Sequence, residues 1–154
     1  MVLFYVMEQS GNVLIPVVDD DMELIETSDI DRFADIDYDA RSKLVSERLK
    51  LLLEKYLPNN EFDPIFIIES QDKMLVYWKF MPPVFDEFDA QYRNDGLISH
   101  ISFSPDVEKL PIAFTAISPK GVKSIVVRMA VAESALRRGI LGVKFTKILE
   151  LNEV

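Results

Sequence analysis

Cysteine is absent from this 154-residue chain, and histidine occurs once, as His100. The first absence excludes a disulfide framework, a Cys–His zinc site and a thiol nucleophile; the second excludes multi-histidine metal sites such as H-E-x-x-H. Long apolar runs are missing too. Leu3 to Met7 and Val13 to Val18 fall far short of the roughly 20 residues that cross a bilayer, and the N-terminus lacks the basic start and small-residue cleavage site of a signal peptide. The expectation is a soluble, cytoplasmic protein with no membrane partner. No low-complexity linker interrupts the sequence. With 49% hydrophobic and 28% charged residues, residues 1–154 read as a single globular domain, long enough to bury roughly two thirds of its surface without a covalent staple.

Basic residues are nearly absent from the first quarter. Residues 1–40 carry 11 acids against the single base Arg32, a balance of −10, whereas residues 41–154 carry 16 bases and 15 acids; the net charge of −9 sits at one end of the sequence. Ten of those acids are Asp19, Asp20, Asp21, Glu23, Glu26, Asp29, Asp31, Asp35, Asp37 and Asp39. This run is either a solvated acidic loop or a surface that meets a basic partner, and all ten are candidate partner-binding residues. Such a field repels phosphates, which argues against nucleic acid, and speeds encounter with a basic protein. From Lys120 to Lys147 the balance reverses, with seven bases and one acid, Glu133.

The pattern predicts an α+β fold, a mostly antiparallel sheet with two or three helices: an acidic hairpin and loop region over 1–40 and a helix-strand core over 41–154. Val2 to Met7 and Val13 to Val18, joined by Ser10-Gly11-Asn12, read as a hairpin. Leu49, Leu52, Leu53, Tyr56 and Leu57 trace one face of a helix that starts near Ser46 and stops at Pro58. Strands follow at Phe62 to Glu69 and Lys73 to Phe80, at Leu97 to Phe103, and at Ile112 to Ile117 and Lys123 to Arg128 around the turn Ser118-Pro119-Lys120-Gly121. A helix over Ala130 to Arg138, capped by Gly139, leads to a closing strand over Gly142 to Leu149. Helix, turn and strand recur at an offset of 83, pairing Leu53 with Leu136 and Phe62 with Phe145, as either an internal duplication or two ordinary helix-to-strand units would.

No motif spells out a catalytic centre or a cofactor. Asp35, Asp37 and Asp39 match the first three ligand positions of a calcium loop, but Ala40 replaces its turn glycine and Ser46 its terminal glutamate. Asp86, Glu87 and Asp89 read as a solvated surface after Pro82-Pro83, with acid–base catalysis the competing reading. His100 has no serine elbow or cysteine to serve. Gly139-x-x-Gly142 is a helix stop, too short to cradle a phosphate. Trp78 and Phe80 read as core.

Lys43-Leu44-Val45-Ser46-Glu47-Arg48-Leu49, Phe62-Asp63-Pro64 and Gly139-Ile140-Leu141-Gly142-Val143-Lys144-Phe145 carry a resemblance. They are similar to the "V-S-(D/E)-R-(L/V)" helix start, "F-x-P" strand and closing "G-(L/I)-x-G-(V/I)-x-F" of a family of bacterial polymorphic-toxin immunity proteins. Tyr77-Trp78 and Phe85-Asp86-x-Phe88-Asp89 sit where that family has an aromatic strand and an acidic segment. The resemblance covers residues 43–149 in patches, and the acidic first 40 residues match none of its motifs. It implies a non-enzymatic cytoplasmic inhibitor, without a cofactor, that neutralises a cognate protein toxin encoded beside it. A peptide-binding adaptor using a sheet edge, and a small hydrolase using Asp86 or Asp89, are the competing classes.

Overall fold

The computed structural model describes residues 2–11, 24–70 and 72–151. In chain order the elements are β1 (Phe4–Gln9), β2 (Leu24–Glu26), a 3-10 turn (Ile30–Phe33), β3 (Tyr38–Asp39), β4 (Leu44–Ser46) and α1 (Glu47–Tyr56). There follow β5 (Phe62–Ser70), β6 (Lys73–Phe80), β7 (Phe88–Tyr92), β8 (Ile98–Phe103), β9 (Ala113–Ile117), β10 (Lys123–Arg128), α2 (Met129–Arg137), β11 (Val143–Lys147) and β12 (Leu149–Glu150). The fold is α+β. Its strands form sheets ordered β11-β1-β10-β9, β12-β8-β7 and β2-β5-β6-β4-β3, mostly antiparallel, with parallel pairs only at β2–β5 and β12–β8 among the registers described.

Two compact units are interleaved along the sequence. One comprises residues up to Met7, Met81–Glu133 and the chain from Phe145 on; the other comprises Glu8–Phe80 and Ser134–Lys144. The first is organised by phenylalanine. Phe4, Phe114, Ile98, Ile101 and Val126 are buried together, and the Phe4–Phe103 and Phe85–Phe114 ring centres lie 5.1 and 5.3 Å apart, separations favoured by tilted and edge-on aromatic pairs. The second unit buries Ile25, Ile30, Phe33, Leu44, Ile65, Ile67 and Tyr77 in one cluster.

Helix α1 begins where the Ser46 hydroxyl accepts the Leu49 N–H at 3.1 Å, satisfying one of the helix's orphan donors. Its predicted apolar face is the buried one: Leu49, Leu52 and Leu53 are each fully enclosed. The β9–β10 hairpin forms as its turn chemistry predicts, and the two strands expected over Phe62 to Glu69 and Lys73 to Phe80 pair antiparallel as β5 and β6.

Other expectations change in detail. The strand of the predicted N-terminal hairpin over Val13 to Val18 lies outside the described residues, and β1 is flanked by β10 and β11. The segment after Pro82-Pro83, read as solvated loop, contains β7, paired with β8 from Phe88↔Phe103 to Tyr92↔Ile98. The closing strand divides into β11 and β12 at Ile148, whose N–H bonds the Phe4 carbonyl at 2.9 Å.

The two segments at offset 83 share a strand-helix-strand order. β4, α1 and β5 form a crossover with β6 antiparallel between its two strands. β10, α2 and β11 form another with β1 between them, as the order β11-β1-β10 requires. The residues that suggested it differ in environment: Leu53 is fully buried and Leu136 is 66% exposed.

Candidate functional site

Of the ten acidic candidates, Asp19, Asp20, Asp21 and Glu23 lie outside the described residues. The other six separate into two groups. Glu26 is exposed on β2, because the buried Ile25 turns its neighbours outward. Asp29 and Asp31 are exposed around the 3-10 turn, whose Ile30 and Phe33 point into the core. Asp35 is exposed just beyond it.

Contacts with β5 and β6 hold this outer group in place. Glu69 Oε1 accepts the Ile30 N–H at 3.2 Å, while Lys73 Nζ stands 3.4 Å from Glu69 and 3.6 Å from Asp31. Those two carboxylates, Asp31 foremost, hold the Lys73 ammonium above its ordinary pKa. Glu26 and Glu69 line an open depression of about 600 Å³ together with Thr27, Ser28 and Ile68. The outcome is five solvent-facing or half-buried carboxylates, Glu26, Asp29, Asp31, Asp35 and Glu69, against the two bases Arg32 and Lys73.

Asp37 and Asp39 belong to the interior, which removes them from the set of exposed partner-binding candidates. Asp37 Oδ1 accepts the Ser46 hydroxyl at 2.6 Å and Arg48 Nε at 3.3 Å; Oδ2 accepts the Leu141 N–H at 2.6 Å and the Arg48 terminal nitrogen. Backbone bonds reinforce the junction, with Ser46 N–H on the Asp37 carbonyl at 2.8 Å and Asp37 N–H on the Leu141 carbonyl at 3.0 Å. The Asp37 carboxylate raises the Arg48 pKa above its ordinary value, chiefly through this hydrogen bonding. Arg48 also donates to the Gly139 carbonyl at 3.2 Å. Asp39 Oδ1 accepts the Arg41 and Ser42 N–H groups at 3.0 and 3.3 Å, an Asx-type turn. The Asp37 carboxylate, whose oxygens already face four donors, is a poor calcium ligand, which removes the middle position of the calcium-loop match over Asp35, Asp37 and Asp39.

An open cleft of about 630 Å³ lies beside this junction, lined by Asp35, Asp37, Glu47 and Arg48 on one side and by Met74, Leu75, Val76 and Tyr77 of β6. The Tyr77 hydroxyl donates to the Phe33 carbonyl and, at 2.8 Å, to the Ile36 carbonyl. It thereby fixes the stretch that turns Asp35 outward. Sequence reasoning missed Ser46, Arg48 and Tyr77 as partners of the acidic segment; the Ser46 helix start was readable, but nothing local couples it to Asp37.

The remaining candidates scatter. Asp86, Glu87 and Asp89 face solvent on and before β7. His100 is half-buried on β8, its Nδ1 2.9 Å from the Ser99 hydroxyl. Phe80 is core, but Trp78 is only half-buried, with Lys50 Nζ 4.2 Å from its ring centre, a cation–π contact. Gly139 has φ +64, as a helix C-terminal glycine requires. Among the described residues no helix is long and apolar enough to cross a membrane. No protein-family model matches the chain, and no curated protein matches it.

Proposed function

We propose that the protein is a non-enzymatic immunity protein that binds and neutralises a basic protein toxin in the cytoplasm through its acidic segment. The observation that carries this reading is the division of labour within the segment. Buried Asp37 and Asp39 tie it down, while Glu26, Asp29, Asp31 and Asp35 remain in water with their charges largely uncompensated. Like charge gathered on a fixed surface is unfavourable for the free protein and favourable once a basic surface meets it. The toxin assignment itself draws on the motif resemblance over residues 43–149.

Expression beside each neighbouring gene product tests the reading. Rescue of growth, with tight 1:1 binding by calorimetry, supports it. Neutralising Asp19, Asp20, Asp21, Glu23, Glu26, Asp29, Asp31 and Asp35 should then slow association and flatten its salt dependence; unchanged kinetics would remove the acidic segment from the interface. Failure to bind any neighbour would overturn the immunity role.

A further inference from the structure

We propose that the outer edge of β7 receives an extended, lysine- or arginine-bearing segment of a partner protein as an added strand. The edge belongs to the unit that holds Phe4 and Phe114, not to the one that carries the acidic segment, and the argument for it is independent of the toxin reading.

Sheet edges expose unpaired backbone groups, and folded proteins commonly block them. Two edges here are blocked. At β3 the Gln9 side-chain amide donates to the Tyr38 carbonyl at 3.1 Å and accepts the Ala40 N–H at 2.7 Å. At β9 the Thr115 N–H donates to the Pro83 carbonyl at 2.9 Å, and the Thr115 carbonyl accepts the Phe85 N–H at 3.1 Å. By contrast, β7 ends its sheet, and among the described residues no strand covers its outer side.

The backbone bonds around β7 show which groups point outward. Ser104 N–H donates to the Glu87 carbonyl at 3.0 Å and Arg93 N–H to the Leu97 carbonyl at 2.7 Å, while the Ile101 carbonyl is taken from the β12 side by Leu151 N–H at 3.1 Å. In an antiparallel ladder the bonds alternate, so Glu87, Asp89, Gln91 and Arg93 face β8. Phe88, Ala90 and Tyr92 turn their backbone groups outward. The Phe88 N–H is occupied by the Asp86 carbonyl at 2.8 Å, which among the described residues leaves the Phe88 carbonyl and both groups of Ala90 and Tyr92 for an incoming strand.

Charge selects the occupant. Asp86, Glu87 and Asp89 are exposed along this edge, and the neighbouring cation, Arg93, pairs with Asp95 at 2.5 Å. The chain's net charge of −9 disfavours self-pairing of two copies. Because side chains alternate, an added strand with basic residues on the Asp89 face sets its other residues beside half-buried Phe88, Ala90 and Tyr92, where apolar groups fit.

The probe is a capped peptide of about nine residues alternating lysine with valine, a typical strand length, and the control carries glutamate at every lysine position. Amide hydrogen exchange of the full chain is read by NMR. The lysine peptide is expected to slow exchange at Ala90 and Tyr92 about tenfold or more, less so at high salt, while the glutamate peptide leaves both amides unchanged. Ala90→Pro removes an outward N–H without breaking a bond to β8 and should abolish the protection. Asp89→Lys should weaken it, and carries the test if the proline variant unfolds. Unchanged exchange at both amides, equal protection by both peptides, or protection without peptide that grows with protein concentration would each overturn the proposal, the last by assigning the edge to a second copy.

Discussion

Asp37 and Arg48 form an asymmetric ion pair in which the Asp37 side chain is 6% exposed and the Arg48 side chain 51% exposed. The partner that dominates stability is therefore the acid, because it cannot return to water when its donors are lost. Asp37→Ala strips the acceptor from Ser46, Arg48 and the Leu141 N–H together, and should cost about 2–4 kcal/mol in denaturant unfolding. Arg48→Ala leaves Ser46 and Leu141 bonded to the carboxylate and should cost about half as much. The double variant should be less destabilised than the sum of the two. Equal, small effects of both single variants would show that the junction is ornamental.

Gly96 and Gly121 separate backbone strain from steric clash. Both have positive φ, +92 and +86, but a Cβ on Gly96 would meet Val122 Cγ2 at 2.5 Å while one on Gly121 meets nothing within 4 Å. Gly121→Ala should cost about 1–2 kcal/mol, the left-handed penalty alone. Gly96→Ala should cost clearly more, and adding Val122→Ala should recover the excess but not the strain. Thermal unfolding of the three variants decides the point; indistinguishable melting of the two glycine variants would refute it.

Local chemistry made the periodic elements legible. Leu49, Leu52 and Leu53 announced α1, and Ser118-Pro119-Lys120-Gly121 announced the β9–β10 turn, because a helical face and a tight turn are each encoded within a few residues. The strand β7 was not legible: Asp89 and Gln91 alternate with Phe88, Ala90 and Tyr92, but five residues after two prolines carry too short a period to outweigh the look of a solvated loop. The parallel pairs β2–β5 and β12–β8 depend on long-range register, which no local pattern holds. The acidic segment was legible as charge but not as structure. Burial of Asp37 depends on Ser46, Arg48 and Leu141, the last of them 104 residues away.

Two buried tyrosines give opposite expectations on losing their hydroxyls. Tyr77 donates to the Phe33 and Ile36 carbonyls, so Tyr77→Phe should cost about 1–2 kcal/mol near neutral pH. The Tyr38 hydroxyl is buried without a hydrogen-bond partner among the described residues, so Tyr38→Phe should leave stability within about 0.5 kcal/mol or raise it. Burial pushes both phenols above their ordinary value of 10.0, with Asp39 adding to the effect at Tyr38 and Asp37, Asp39 and Asp35 at Tyr77. A raised folded pKa means that the unfolded chain releases its proton first. The stabilisation is complete below pH 10 and is lost as pH rises above it, by up to about 1.4 kcal/mol per pH unit for each tyrosine. Unfolding free energies measured between about pH 9 and 11 should fall more gently in either phenylalanine variant than in the parent; parallel curves would contradict the assignment.

Neutralising the exposed acids should have the reverse effect on stability from neutralising the buried ones. Glu26→Gln, Asp29→Asn and Asp35→Asn remove like charges that face water and have no ion-pair partner among the described salt bridges. Asp31 differs, since Lys73 stands 3.6 Å away, but that pair is exposed on both sides and contributes little. Replacing all four together, with Asp31→Asn added, should leave the melting temperature unchanged or raise it, by relieving repulsion in a chain of net charge −9. Asp39→Ala, at a fully buried position that caps the Arg41 and Ser42 N–H groups, should lower it. The contrast should narrow as salt is added, because screening weakens repulsion among exposed charges and leaves the buried hydrogen bonds almost untouched. A loss of stability on neutralising the outer four would mean that these carboxylates hold the fold together, and the case for a surface set aside for a basic partner would fall with it.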